Sequence, residues 1–194
     1  MKKKERIRKA YDSTAEGYDE LYGQEQAEKY EASLEKIRKA AGAAATLCDA
    51  GGGTLLFQEF LKKHNLIASV KYYVAIDLSL SMIKIARRRT AKLEASTLTE
   101  LVHADVEHMP LRDKACSLLV SYTVIDLTDS PQNALREFAR TSDKCIVSLL
   151  KKAQALRASV SRPGVMVGET SKDIIFYCES KQQPKAFKEE RLED

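Results

Sequence analysis

Thr46-Leu47-Cys48-Asp49-Ala50-Gly51-Gly52-Gly53-Thr54-Leu55-Leu56-Phe57 is the stretch that decides how this chain is read. A short apolar run stops at an acidic residue, three glycines follow, and a helical pattern begins at once. Strand, glycine turn and helix in that order build a site for a ligand carrying a nucleoside-like group. Glycine lets the backbone turn with positive φ and puts no side chain in the ligand's way. The helix start beside it offers free N–H groups. Alone the cluster is a weak signal, because any tight strand-to-helix turn can hold glycines, and its meaning rests on its surroundings.

Those surroundings alternate. Residues 72–77 are β-branched and aromatic, as strands prefer. Leu78, Met82, Ile85 and Ala86 then trace one helical face. Residues 100–104 read as a short third strand, and 116–122 as a fourth that is apolar on both faces, the mark of a buried parallel strand. Ser130 caps a helix with Pro131 at its first position, and Leu135, Phe138 and Ala139 form its inner stripe. A fifth strand at 145–150, a helix at 151–160 and a last strand at 174–178 complete the pattern. Strict alternation predicts an α/β fold: a Rossmann-like, doubly wound, mainly parallel sheet with helices on both faces.

Before the glycine stretch, residues 2–9 suggest a short helix. Residues 10–23, with three tyrosines among small and acidic residues, make a poor helix and read as a lid. From 24 to 41 the points Ala27, Tyr30, Leu34, Ile37 and Ala41 step as one amphipathic stripe, ended by Gly42. The expected organisation is an N-terminal helical arm over 1–44, a ligand-binding domain over 45–180 and a charged tail over 181–194.

The length of 194 residues suits one domain with an added arm. At 44% hydrophobic the chain can bury a core. Its apolar runs are a few residues long, against the roughly 20 a membrane helix needs. The start is basic with no apolar run behind it, so no secretory signal is expected, and a soluble, cytoplasmic protein is. Cys48, Cys116, Cys145 and Cys178 form no C-x-x-C pair and sit in strand-like runs, so they read as buried reduced thiols rather than metal ligands or disulfides. The three histidines show no ligand spacing, and no metal is expected. The net charge of +4 is mild. Lys2–Lys4, Arg87–Arg89, Lys151-Lys152 and Arg157 are basic points that suit RNA or simply a solvated face.

Acids close three strands: Asp49, Asp77 and Asp105, with Ser121-Tyr122 ending the fourth. An aspartate is equally at home in a cap or turn. Three at matching positions point to a ligand at the carboxyl ends of the strands, where such sheets bind. An acid after the second strand suits ribose hydroxyls, as in dinucleotide enzymes. An acid after the third accepts from an exocyclic amine, since an ionised carboxylate only accepts. The ligand reads as an adenosine. Thr54-Leu55-Leu56 after the glycines breaks G-x-G-x-x-G, no G-x-x-x-x-G-K-[ST] occurs, and no cation in the turn would neutralise a pyrophosphate. A phosphate-free adenosine cofactor fits, and S-adenosylmethionine is the common one.

On these residues the chain resembles class I S-adenosylmethionine-dependent methyltransferases of the small methyltransferase-domain, ubiquinone-biosynthesis-like type, over residues 10 to 150. The marks are Tyr11-Asp12 and Tyr18-Asp19, then Asp49-Ala50-Gly51-Gly52-Gly53-Thr54, Asp77-Leu78-Ser79 with Met82, Ala104-Asp105-Val106-Glu107 with Met109-Pro110-Leu111, Ser121-Tyr122-Thr123, and the helix from Pro131 to Arg140. The resemblance implies that Gly51 and Gly53 line the methionine part, with Asp49 ordering the turn. It implies Asp77 on the ribose, Leu78 and Met82 against adenine, Asp105 and Val106 at the adenine amine and ring edge, and Ser121 facing the methionine end. Tyr11 and Tyr18 either close over the cofactor or anchor the arm, and Tyr122 either approaches the substrate or belongs to the core.

Two departures stand out. Leu55 occupies a position usually held by glycine, where it is expected to crowd the cofactor or shift the helix, and the chain after the fifth strand is short. Methyl transfer is an in-line displacement in which positioning does most of the work, so no catalytic residue is expected. Ser121-Tyr122-Thr123-Val124 stands where related base-amine enzymes carry [Asn/Asp/Ser]-Pro-Pro-[Tyr/Phe]. The acceptor reads narrowly as RNA or another macromolecule. A small metabolite capped by the arm comes next, then a degenerate, non-catalytic cofactor-binding subunit of a complex. The third strand is expected at a sheet edge, which invites a small activating protein.

Overall fold

The computed structural model describes residues 3–41, 46–91, 97–161 and 164–179. Seven strands form one sheet: β1 (Thr46–Ala50), β2 (Tyr72–Asp77), β3 (Leu98–His103), β4 (Leu118–Ser121), β5 (Lys144–Leu150), β6 (Gly164–Glu169) and β7 (Asp173–Glu179). Their order is β3-β2-β1-β4-β5-β7-β6. β1 to β5 pair in parallel, and β7 runs antiparallel between β5 and β6. The order therefore reverses between β1 and β4, which opens a crevice directly above the glycine turn. The expected doubly wound, mainly parallel sheet is present, and β3 is an edge strand.

Helices cover both faces. α2 (Tyr18–Ala32), α3 (Leu34–Ala41) and α4 (Leu56–Lys63) pack Tyr30, Ile37, Phe57 and Leu61 against Leu47, Tyr73, Leu118 and Val120. α6 (Pro131–Thr141) and α7 (Gln154–Ser161) lie on the other face, where Phe138 and Val160 meet Cys48, Ile76, Leu119 and Val147. Leu47 and Cys48 go to opposite faces, the period-two alternation that buries both sides of a central strand. Ser130 caps α6 as its sequence predicts, accepting from the Asn133 N–H at 3.4 Å. No described helix is long and apolar enough to cross a membrane.

Three sequence readings need correction. Residues 10–23 are helical: α1 (Lys3–Thr14) runs through them into a 3-10 turn at Ala15–Gly17 and then α2. Hydrogen bonds across the chain stabilise this poor helix former. Asp12 accepts from the Ser79 hydroxyl at 2.6 Å, and Asp19 accepts from the Thr54 hydroxyl at 2.5 Å and pairs with Arg89. The long helix expected over 24–41 is broken at Ser33, whose hydroxyl donates back to Lys29 O at 2.9 Å, a bond that competes with helix continuation. Finally, Cys48 and Cys116 are joined in a disulfide, while Cys145 and Cys178 are free. The sequence separation of 68 between the bonded pair hides a pairing that the sheet makes local, since β1 lies beside β4. Gly42 and the charged tail fall outside the described residues.

Leu55 does not crowd the crevice. It adopts φ 72°, as the glycine usual there would, but its side chain is wholly buried in the core beneath. A leucine in the left-handed region costs roughly 1–2 kcal/mol, whereas removing a buried leucine costs roughly 2–5 kcal/mol. Burial wins. Leu55→Gly is therefore expected to lower the unfolding free energy by about 1–3 kcal/mol in urea titrations; an unchanged or raised midpoint would contradict this account.

Candidate cofactor and acceptor site

The glycine turn is held by backbone and by one acid. Gly51 N–H and Gly52 N–H both donate to Ile76 O, at 2.7 and 3.0 Å, and Gly53 N–H donates to Asp77 Oδ2 at 2.9 Å. Gly51 has φ 83°, and a Cβ there would lie 2.2 Å from Val124 Cγ2, so only glycine fits. At Gly53 (φ 53°) a Cβ would meet nothing within 4 Å. The turn thus presents bare backbone to a cavity of about 560 Å³, a size suited to small-molecule ligands.

That cavity collects most of the residues the sequence singles out: Tyr11, Tyr18, Gly51, Gly53, Asp77, Leu78, Met82, Asp105, Val106 and Tyr122 all line it. Asp77 Oδ1 also accepts from the Ser79 N–H at 2.8 Å, and burial pushes its carboxyl above the usual range. Asp105 accepts from the Glu107 N–H at 2.9 Å and from Lys4 Nζ at 2.5 Å, with α1 laid across this end. Leu78, Met82, Val106, Ile7 and Leu127 supply apolar walls beside the two acids. Bare backbone, a flat apolar slot and two carboxylate acceptors suit an adenosine. Asp77 would hold its ribose and Asp105 its amine.

Two expected members are displaced. Ser121 is wholly buried and does not line the cavity, because its hydroxyl donates sideways to Ala50 O at 3.0 Å. Asp49 lines a small recess behind the turn, where Tyr73 donates to it at 2.5 Å. No turn N–H bonds to it among the described residues, so Ile76 O and Asp77 order the turn instead. Tyr122 spends its hydroxyl on Ser33 (2.9 Å) and its ring on Tyr30 and Phe57, leaving only an edge on the cavity.

Asp49 makes a testable prediction of its own. Burial pushes its carboxyl up to about 7, against the opposing Tyr73 hydrogen bond. A folded-state value above the unfolded one means the folded chain binds more protons between them. Stability is then lost as pH rises from about 4 to 7, by up to about 1.4 kcal/mol for each step of one in pH. Asp49→Asn should flatten that slope in urea unfolding followed from about pH 5 to 8; parallel slopes would refute it.

Nothing in the amino-acid pattern announces the other end of the cavity. At the ends of β4 and β5 it is lined by Tyr22, Glu25, Lys29, Thr123, Leu150, Lys152 and Lys172. Lys29 is 0% exposed. Its ammonium donates to Thr123 Oγ1 at 2.7 Å and Glu25 Oε1 at 2.9 Å, and lies 3.5 Å from the buried Asp173. Thr123 holds φ 57°, rare for a β-branched residue. Ser148, Lys29 and Asp173 pin it there through hydrogen bonds at 2.8, 2.7 and 3.1 Å. Gln26, Lys29, Tyr30 and Ser33 recur at helical spacing, but three of the four are polar, so this inward stripe has no hydrophobic signature.

The "Methyltransferase domain" family model matches residues 48–144. The chain belongs to this methyltransferase family. The domain it carries is of the S-adenosylmethionine-dependent methyltransferase kind, whose cofactor supplies an electrophilic sulfonium methyl. The match specifies no subtype. Over 70 residues the chain is 37% identical to a malonyl-[acyl-carrier protein] O-methyltransferase of Marinomonas sp. (strain MWYL1), covering 36% of this chain and 25% of that one. The match thus spans about a quarter of the length of that curated relative. In fold, it resembles magnesium protoporphyrin IX methyltransferase from Synechocystis PCC 6803 with bound S-adenosylmethionine, at TM-score 0.69 and 13% identity over 92% of this chain and 97% of that one. A putative S-adenosyl-L-methionine-dependent methyltransferase from Methanococcus maripaludis gives 0.68 at 19% identity, over 89% and 94%.

Proposed function

We propose that this protein transfers the methyl group of S-adenosylmethionine to a small-molecule acceptor enclosed beneath its N-terminal helices. One observation carries this reading: the cavity is roofed. Ile7, Arg8 and Tyr11 of α1 and Tyr18, Tyr22, Glu25, Gln26 and Lys29 of α2 all line it. A folded RNA has poor access to a methyl group under such a roof. Four of the nine basic residues that favour RNA in the sequence are committed to ion pairs. Lys4 pairs with Asp105, Arg88 with Glu16, Arg89 with Glu59 and Lys151 with Glu169. The name of the curated relative, malonyl-[acyl-carrier protein] O-methyltransferase, points to an acyl acceptor rather than nucleic acid. An activating protein on the β3 edge is compatible with this reading and is not required by it.

Adenosine at the β2–β3 end leaves the β4–β5 end for the acceptor. Holding both in one enclosed site replaces a bimolecular encounter by an aligned pair, the main source of rate in such a displacement. The test is incubation with methyl-tritiated S-adenosylmethionine and cell extract separated into RNA, protein and small-molecule fractions. Label is expected in the small-molecule fraction; label confined to RNA would overturn the proposal.

A further inference from the structure

The geometry points to a carboxylate-binding subsite at the β4–β5 end of the cavity, built from Lys29, Lys152 and Lys172, and so to an acceptor that is a carboxylic acid methylated on oxygen. This deepens the small-molecule reading above and rests on it.

Three ammonium groups line this end, against one carboxylate, Glu25. Asp173 lies beneath, wholly buried, and offsets one more charge. Lys152 forms no ion pair or hydrogen bond among the described residues. Glu25 itself demonstrates the geometry: its two oxygens bridge Lys29 at 2.9 Å and Lys172 at 2.7 Å. A carboxylate therefore fits between these two ammonium groups. The Lys172 side chain is 64% exposed, and an exposed pair of this kind is held weakly. The Glu25 side chain is itself 27% exposed, so an incoming acid can take its place, and its bond to buried Lys29, as Glu25 swings toward solvent. Val124, Leu127 and Leu150 beside it provide contact for an apolar body.

The chemistry agrees. An alcohol or a protonated amine must lose a proton to attack, and the candidate base here is Glu25. Hydrogen bonds from Lys172 and then Lys29 hold its carboxyl below the usual range, which makes it a weak proton acceptor. A carboxylic acid arrives already ionised. Its oxygen lone pair forms the O–CH3 bond while the S–CH3 bond breaks. The bonding pair stays on sulfur, giving a neutral thioether and a methyl ester with no proton to place.

A methyl ester is distinguishable from other methylation products, because alkali hydrolyses it and releases volatile tritiated methanol. The small-molecule fraction labelled as above is treated with alkali, and vapour-phase counts are expected to account for most of its label. Lys172→Met and Lys152→Met, both on exposed side chains, should each raise the apparent KM for the unlabelled acids, read as the extract dilution that gives half-maximal labelling, about threefold. S-adenosylhomocysteine affinity by calorimetry should stay unchanged. Alkali-stable label in the small-molecule fraction overturns the carboxylate assignment and leaves the small-molecule reading standing. Label only in RNA or protein overturns both. So does the absence of label from a chain that binds S-adenosylhomocysteine. Unchanged KM in both lysine variants overturns the subsite.

Discussion

Asp77→Ala lowers S-adenosylhomocysteine affinity by about a hundredfold in titration calorimetry, through two losses at one position. The Asp77 carboxylate accepts from Gly53 N–H at 2.9 Å and Ser79 N–H at 2.8 Å, tying the glycine turn to the start of α5 (Leu80–Thr90). Alanine frees both donors, so the bare backbone that faces the cavity loses its fixed position. It also removes the acceptor assigned to the ribose. Hydrogen bonds to a charged group are each worth roughly 1.5–3 kcal/mol, and a hundredfold change corresponds to about 2.7 kcal/mol. One such bond nearly suffices, and two leave a margin. Asp77→Asn keeps one acceptor oxygen for a backbone donor and should lose only about tenfold, by the same arithmetic. Wild-type affinity in a folded Asp77→Ala chain would remove the ribose assignment and the adenosine reading with it.

The adenosine half of the site is legible in the sequence because its requirements are local. Gly51 and Gly53 sit where positive φ is needed, Asp77 closes a strand that its own apolar pattern reveals, and Asp105 follows the end of the next. Parallel pairing then brings those strand ends together without further information. What stays hidden is non-local. Position alone puts Ser121 on the rim, yet β4 turns its hydroxyl toward Ala50 of the neighbouring strand. Cys48 and Cys116 are partners only because β1 and β4 are adjacent across the switch in strand order. The lid expected over 10–23 is helix because Asp12 and Asp19 reach Ser79, Thr54 and Arg89, residues far along the chain. Those contacts give the repeated Tyr-Asp pairs a physical role: each aspartate fastens the arm, and each tyrosine faces the cavity. Lys29 is the least legible of all, since a lysine on an amphipathic helix is ordinarily assigned to solvent.

That lysine gives the largest expected effect on stability. Lys29 and Asp173 are both 0% exposed, and they stand 3.5 Å apart where α2 crosses the end of β7. Lys29→Met keeps the aliphatic stem but leaves the Asp173 charge in a dry site. Among the described residues, the side-chain donors that remain to it are the Thr123 and Ser148 hydroxyls, at 3.1 and 3.3 Å. Removing one partner of a buried pair costs roughly 3–5 kcal/mol, chiefly the penalty of the orphaned charge. Urea unfolding of Lys29→Met should show a loss of that order. The cost arises from the stranded carboxylate rather than from the missing ammonium, so the second change, Asp173→Asn, should recover most of it. The double variant is then expected to be more stable than Lys29→Met alone, with a coupling energy of about 2 kcal/mol or more. Additive losses in the double variant would mean that the two charges do not compensate each other. The polar seam joining α2 to β4, β5 and β7 would then owe its order to Thr123 and Ser148, whose hydroxyls already hold the left-handed backbone at residue 123.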